Sequence, residues 1–482
     1  MAGQSNSSTT LLYIRGEWCT AATGQTREVR NPADGSLVGA VAYGGRTEAL
    51  AAAAAAQEAF AAWAGLPARA RADLLLRAGS LLEERVTQIG YLLALESGKR
   101  LPEAVAEVRF AVEYLRWFAE QVRRPAGELL RHESGQRRQL TLRQPMGVAL
   151  CLTPWNFPVS IQARKIAAAL AAGCTVVSRP SEKAPLAVIE LFRCLHEASL
   201  PPGVANLVLG PAEEITTALL AHPAVRVVSF TGSTEVGRRI MGLAAERIVR
   251  PLLELGGDAP FIVFADADLE RAVEGAMLAK FRNNGQSCIA ANRFFVEAPI
   301  FADFVERFAA RINAMRLGNP VVEPIPDLGP VIDERRQRAI ASLVEEAQAE
   351  GARRVTAEVP VPAQGTFVAP ALLVDVPDQS ALARQEIFGP VAAVFPFESE
   401  EEVIERANAS EMGLAAYFYT SRLDRAWRVA EALEAGIVGL NTPLPSVAYA
   451  PMGGIKQSGL GREGSHEGLD EFQEVKYLCC EW

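Results

Sequence analysis

The stretch GVALCLTPWNFPVSIQARKIAAALAAGCTVVSRPSE, from Gly147 to Glu182, decides the fold. An apolar run at 148–153 stops at Pro154, helix formers fill 161–172, Gly173 interrupts them, and β-branched residues resume at 175–178. That order reads strand, helix, strand, with strands apolar on both faces as a covered parallel sheet requires. Downstream the alternation continues with a helix at 186–197, a strand at 206–209, a helix at 213–221 and a strand at 225–230. An α/β fold with helices on both faces of a parallel sheet is therefore expected. A second series starts near Gly256-Gly257, with a strand at 259–264, a helix at 269–281, a strand at 294–297 and helices at 301–315 and 334–350. Upstream, helices are expected at 47–63, 69–84 and 101–122, followed by a strand-rich segment at 138–152. Residues 471–480 form a strand candidate without an evident partner, which another segment or another subunit would have to supply.

A chain of 482 residues, at roughly 150 per domain, suggests about three units. Apolar residues make up 49% and charged residues 22%, enough to build cores and too ordinary for a disordered or fibrous chain. Fifty-seven acids against 48 bases give a net charge of −9, which offers no basic field for nucleic acid. The four histidines (His132, His196, His222, His466) are scattered and the seven cysteines form no paired CxxC ladder, so no metal centre is expected. Residues 1–10 read as a polar tail, no run reaches a membrane span's ~20 apolar residues, and the odd cysteine count suits a reducing cytoplasm.

Several segments carry chemistry, each with a plainer reading beside it. Gly459 to Gly464 fits GxGxxG but follows no convincing strand, so it reads as a loop rather than a phosphate cradle. Phe230-Thr231-Gly232-Ser233 runs from a strand into a helix, where backbone amides and the Ser233 hydroxyl would hold a pyrophosphate or simply cap the helix. Cys288 follows the polar turn Asn283-Asn284-Gly285-Gln286-Ser287, whose amides would lower the thiol pKa and cradle an oxyanion; the alternative is a structural thiol. Glu254, inside an apolar run ending in Gly256-Gly257, is either a general base raised by burial or a paired structural carboxylate. Asn156 lies between Pro154 and Pro158, as an amide donor in a rigid turn or as an ordinary turn residue.

Together these segments resemble the aldehyde dehydrogenase superfamily over nearly the whole chain. The resemblance rests on Asn31-Pro32-Ala33, Glu96-Ser97-Gly98-Lys99, Thr153 to Pro158, Arg179-Pro180-Ser181-Glu182, Phe230 to Ser233, Glu254 to Gly257, Gly285 to Cys288, Glu386-Ile387-Phe388-Gly389-Pro390, Pro451 to Gly454 and Lys456 to Gly459. It implies two Rossmann-like domains and a small β oligomerisation arm: a cofactor domain of residues 1–122 and 143–256, a catalytic domain of 257–445, and an arm of 123–142 and 465–482. It makes Cys288 the nucleophile, Glu254 the base and Asn156 the oxyanion donor. It assigns NAD or NADP to Thr153, Pro154, Trp155, Arg179, Ser181, Glu182, Gly210, Phe230, Gly232, Ser233, Leu255, Glu386 and Phe388. A homodimer or homotetramer is implied as well. Where the family usually has lysine this chain has Arg179, whose planar fork suits a 2′-phosphate, whereas Glu182 would repel one; the balance leans to NAD.

Around the active site the wording is similar to the succinate-semialdehyde dehydrogenase group, which implies that Arg164, Arg282 and Ser446 hold a substrate carboxylate. Two guanidinium groups converging on one pocket would repel unless an anion lay between them. Ala290 stands where many of that group carry a second cysteine, so no redox-switch disulfide is expected there. Pro443, Pro445 and Tyr449 depart from the group's wording, leaving glutarate semialdehyde, other ω-oxo acids and aromatic or aliphatic aldehydes open. Two other classes stay open: a cysteine esterase or acyl-transfer enzyme without hydride transfer, and a non-catalytic binding protein.

Overall fold

The computed structural model describes residues 10–124, 126–133 and 135–481, so nine of the ten expected tail residues lie outside it. An eight-stranded sheet is built on the parallel strands Ala205–Leu207, Thr175–Pro180, Val148–Thr153, Val225–Thr231 and Arg250–Glu254, in that spatial order. Chain order reverses between Val148–Thr153 and Val225–Thr231, so a crevice opens beyond their carboxyl ends, at Thr153 and Thr231. A seven-stranded sheet follows, its parallel core running Ala371–Val374, Val391–Phe397, Ala291–Glu297, Ala259–Val263, Ala415–Tyr419 and Ile437–Leu440. Helices of the first alternating series lie where the sequence pattern predicts, ends shifting by a few residues. The helix Val86–Ser97 and the strands between residues 371 and 460 were not anticipated.

The C-terminal strand finds its partner within the chain: Gln473–Glu481 pairs antiparallel with Arg137–Pro145, and Leu129–Leu130 completes a three-stranded sheet. The GxGxxG segment is not a free loop either, since Gly459–Leu460 pairs antiparallel with Leu253 and Glu254 at the edge of the eight-stranded sheet. A Cβ at Gly459 would stand 2.0 Å from the Leu253 carbonyl, so only glycine allows this approach.

Between the eight-stranded sheet and its covering helices Leu101–Gln121 and Leu186–Glu197 runs Pro158–Ala172, buried at every residue. Pro158 opens it at a position that needs no amide, and Gly173 closes it with left-handed φ of 97°. Its sequence is mostly apolar, as a core helix must be, yet besides Ser160 and Gln162 it carries two charged residues inside, Arg164 and Lys165. Among the described residues no helix is long and apolar enough to cross a membrane.

Phe261 is fully buried in the seven-stranded sheet, with ring centroids 5.1 Å from Phe294 and 5.0 Å from Tyr419. Phe261→Ala should cost roughly 3–5 kcal/mol, read as a lower urea unfolding midpoint; an unchanged midpoint would contradict this packing.

Candidate active site

Cys288 is positioned by a backbone that proteins rarely adopt. Asn283, Asn284 and Gly285 all have left-handed φ, at 55°, 57° and 74°. Asparagine tolerates that region best among residues with side chains, and here its amides also anchor the turn. Asn283 Nδ2 donates to the carbonyls of Asn156 (3.0 Å) and Gln286 (2.9 Å), while Asn284 Nδ2 donates to those of Gly98 (3.1 Å) and Pro330 (2.9 Å). A Cβ at Gly285 would stand 2.2 Å from the Gly389 carbonyl, so the Glu386 segment packs directly against the turn.

Asn156 comes to the same place from the other sheet, its Nδ2 donating to the Gln286 carbonyl at 3.2 Å. Beneath it lies a buried ion pair that local sequence did not single out. Lys99 Nζ donates to the Asn156 carbonyl at 2.8 Å and pairs with Glu107, whose other oxygen accepts from Val159 N at 3.0 Å. The amide of Asn156 is thus presented by a fixed turn, and its Oδ1 is buried without a hydrogen-bond partner among the described residues.

Glu254 ends its strand 1% exposed, and neither carboxylate oxygen has a hydrogen-bond partner among the described residues. Burial pushes its pKa up, against the pull of Arg164. Cys288 departs from expectation. Burial and then the Glu254 and Glu386 carboxylates push the thiol well above its ordinary pKa, outweighing any help from loop amides.

A cavity of about 320 Å³ brings Cys288 together with Arg164, Arg282 and Ser446, walled by Phe110, Phe157, Ile161, Ile289, Leu444 and Met452. The arginine pair is not as expected, however. Arg164 has its own counter-ion, Glu463, with Nε–Oε2 2.6 Å, and Glu463 also holds Lys165. No repulsion therefore has to be relieved by a ligand at Arg164. Arg282 packs over the Phe157 ring at 5.3 Å, and among the described residues no carboxylate forms an ion pair with it. Glu463 went unrecognised because it lies inside the GxGxxG stretch, almost 300 residues from its partners; nothing local marks it.

Of the residues expected to hold a cofactor, Thr153 ends its strand at the crevice beyond the first sheet, and Phe230 lies next to Thr231, which ends the neighbouring strand there. Ser233 caps the helix Thr234–Ala245, accepting from Val236 N at 3.4 Å, a helix start of the kind that favours an anion. Arg179 donates to Glu182 Oε2 (2.6 Å) and the Gly210 carbonyl (2.8 Å). Burial works to raise the Glu182 pKa, but Arg179 holds it below the ordinary value. The Thr153 hydroxyl is spent on Gln162 at 2.7 Å, Leu255 N donates to the Ser458 carbonyl at 2.9 Å, and the Trp155 and Phe388 rings meet edge to face at 5.5 Å. Ser181 Oγ accepts from Lys183 N at 3.3 Å. Glu386, raised to about 8 chiefly by burial, accepts from Gly257 N at 3.3 Å and leaves a Cβ no room at Gly256, 2.8 Å from Oε2. Buried Arg179 Nε and Thr231 Oγ1 have no hydrogen-bond partner among the described residues. Orphaned donors, a helix start and a sheltered carboxylate fit a dinucleotide's phosphates and ribose hydroxyls.

The sequence profile described as "Aldehyde dehydrogenase family" matches residues 18–478. A glutarate-semialdehyde dehydrogenase of Pseudomonas putida is 44% identical over 467 residues, 97% of each chain. An NADP(+)-dependent succinate-semialdehyde dehydrogenase of Escherichia coli is 43% identical over 466 residues, covering 97% of this chain and 96% of that one. A crystal structure of succinate-semialdehyde dehydrogenase from Burkholderia pseudomallei superposes with a TM-score of 0.96 at 42% identity, covering 99% of both chains.

Because Glu254 raises the Cys288 thiol pKa, Glu254→Gln should increase the thiolate fraction at a pH of about 8 and speed alkylation of Cys288 by iodoacetamide several-fold. Peptide mass spectrometry at Cys288 measures it; an unchanged or slower rate would contradict the electrostatics.

Proposed function

The chain belongs to the aldehyde dehydrogenase family and oxidises an aldehyde with NAD(P), and from that premise we propose that its substrate is a semialdehyde bearing a distal carboxylate, of succinate or glutarate length. The observation that carries this reading is Arg282, a cation without a paired acid among the described residues, lining the same cavity as Cys288 and Ser446. A charged donor in a low-dielectric cavity binds an anion by more than a surface pair does, about 1.5–3 kcal/mol per hydrogen bond. The named relatives act on semialdehydes with acid groups, which supports the same assignment.

In this reading the Cys288 thiol loses its proton to solvent and its sulfur attacks the aldehyde carbon, while the Asn156 amide and the Cys288 backbone amide hold the oxyanion. NAD(P), bound beyond Thr153 and Thr231, supplies the hydride acceptor. Glu254 then takes a proton from water, which releases the acid from the Cys288 thioester. The eight-stranded sheet serves the cofactor and the seven-stranded sheet carries the nucleophile. Glu182, held ionised by Arg179, favours free ribose hydroxyls over a 2′-phosphate and hence NAD over NADP.

Assembly as a dimer or tetramer is part of the same proposal. The three-stranded sheet exposes Leu129 (74%), Val475 (59%) and Tyr477 (53%), apolar surface that a second subunit would cover. Its seven cysteines, all free, suit a reducing cytoplasm.

Mixing the protein with succinate or glutarate semialdehyde and NAD should generate the absorbance of reduced cofactor, and Cys288→Ala should abolish it. Arg282→Leu should raise KM for these substrates roughly tenfold or more while leaving KM for an uncharged aldehyde nearly unchanged. Equal effects on both substrates would remove Arg282 as the anion anchor.

A further inference from the structure

Arg164 faces two acids at once. Its Nε lies 2.6 Å from Glu463 Oε2, its Nη1 donates to Met452 Sδ, and its Nη2 lies 3.7 Å from Glu254 Oε2. That last group and both Glu254 oxygens are buried with no hydrogen-bond partner among the described residues. A guanidinium donor and a carboxylate, each otherwise orphaned and each costly to bury alone, thus stand opposite one another. The approach is fixed on both sides. The helix Pro158–Ala172 is wholly buried and cannot move Arg164 out, and Glu254 is held in its strand between Thr231 and Gly459.

We propose that Arg164 is a positioning residue for Glu254, holding its carboxylate aimed so that it activates water for any acyl group on Cys288, acidic or neutral. This deepens the function proposed above and rests on its assignment of Cys288 and Glu254. In the step concerned, water oxygen bonds to the thioester carbon and the C–S bond breaks. One water proton passes to Glu254, the carboxylic acid leaves, and the Cys288 thiolate takes the proton back from Glu254. No electron changes hands.

Arg164 matters because of what else faces Glu254. Lys165 from the same helix shares its attraction with Glu463 through Oε1. Glu463 from the C-terminal turn, Glu386 from the segment packed on the nucleophile turn and Cys288 are the remaining titratable groups around it. Burial alone raises the Glu254 pKa, Glu463 adds to it, and Arg164 is the largest opposing influence. Without Arg164 the Glu254 pKa would rise further and the orientation of its carboxylate would lose its one charged partner within 4 Å among the described residues. A residue that served only to bind a substrate carboxylate would have no such effect on an uncharged aldehyde.

The test compares Arg164→Met and Arg164→Lys with the wild-type full-length enzyme, using succinate semialdehyde and butanal with NAD, in steady state and in a rapid-mixing burst. For Arg164→Met the expected result is a fall in kcat of roughly tenfold or more with both aldehydes. A burst of about one reduced cofactor per active site should precede it, because thioester hydrolysis has become slow. The rate should recover as pH rises through the raised Glu254 pKa, and Arg164→Lys should restore part of it. If kcat for butanal is unchanged while KM for succinate semialdehyde rises, Arg164 is only an anion anchor and the proposal fails. Should Arg164→Met not fold, Arg164→Lys decides the point: slower hydrolysis of both acyl groups supports it, and an effect on succinate semialdehyde alone overturns it. Wild-type enzyme inert towards both aldehydes would instead refute the function reading itself.

Discussion

Two cations buried on one core helix set the terms for the rest of the site. Arg164 and Lys165 have side chains 4% and 0% exposed, and neither could be held there without a compensating acid. Glu463 supplies that charge. Burial works to raise its pKa, yet the two cations keep it below the ordinary value, so it stays ionised inside the protein. To deliver Glu463, the chain returns from its far end and adds Gly459–Leu460 to the sheet edge beside Glu254. The same return places Ser458 to hold the backbone of Gly256, against which Glu386 rests. One electrostatic requirement thus ties the central helix, the strand that ends in Glu254 and the C-terminal turn into one body.

A second constraint acts across the two sheets. Asn156 belongs to the end of one, Cys288 to a turn leading into the other, and their alignment depends on shared backbone hydrogen bonds. Lys99 and Asn283 both donate to the Asn156 carbonyl, so the Asn156 turn is fixed from below and from the side. The left-handed turn at 283–285 stores strain that its asparagine amides offset. Burying the thiol among carboxylates makes an unreactive cysteine at rest and a strong nucleophile once its proton is taken.

Much of this was legible in the sequence. Periodicity and stop residues placed the helices at 269–281 and 69–84 to within a residue, because strong helix formers meet sharp Gly, Pro or Asp boundaries there. Cys288, Glu254 and Asn156 each stood out locally, since polar residues in apolar or Gly-rich surroundings leave a mark. What stayed hidden depends on distance. Glu463 acquires meaning only beside Arg164 and Lys165, and Lys99 only beneath Asn156, pairings no window of residues contains. The direction of the Cys288 shift was misjudged for the same reason: its loop amides are local, whereas the acids that outweigh them arrive from Glu254 and Glu386.

At the centre of the account is a division of labour, in which Cys288 carries the acyl group and Glu254 releases it. Intact-protein and peptide mass spectrometry of the Glu254→Gln enzyme, quenched during turnover with succinate semialdehyde and NAD, tests it directly. The account predicts an acyl adduct accumulating at Cys288 in that variant and scarcely detectable in the wild type. Undiminished steady-state turnover by Glu254→Gln, or an adduct on another residue, would contradict it.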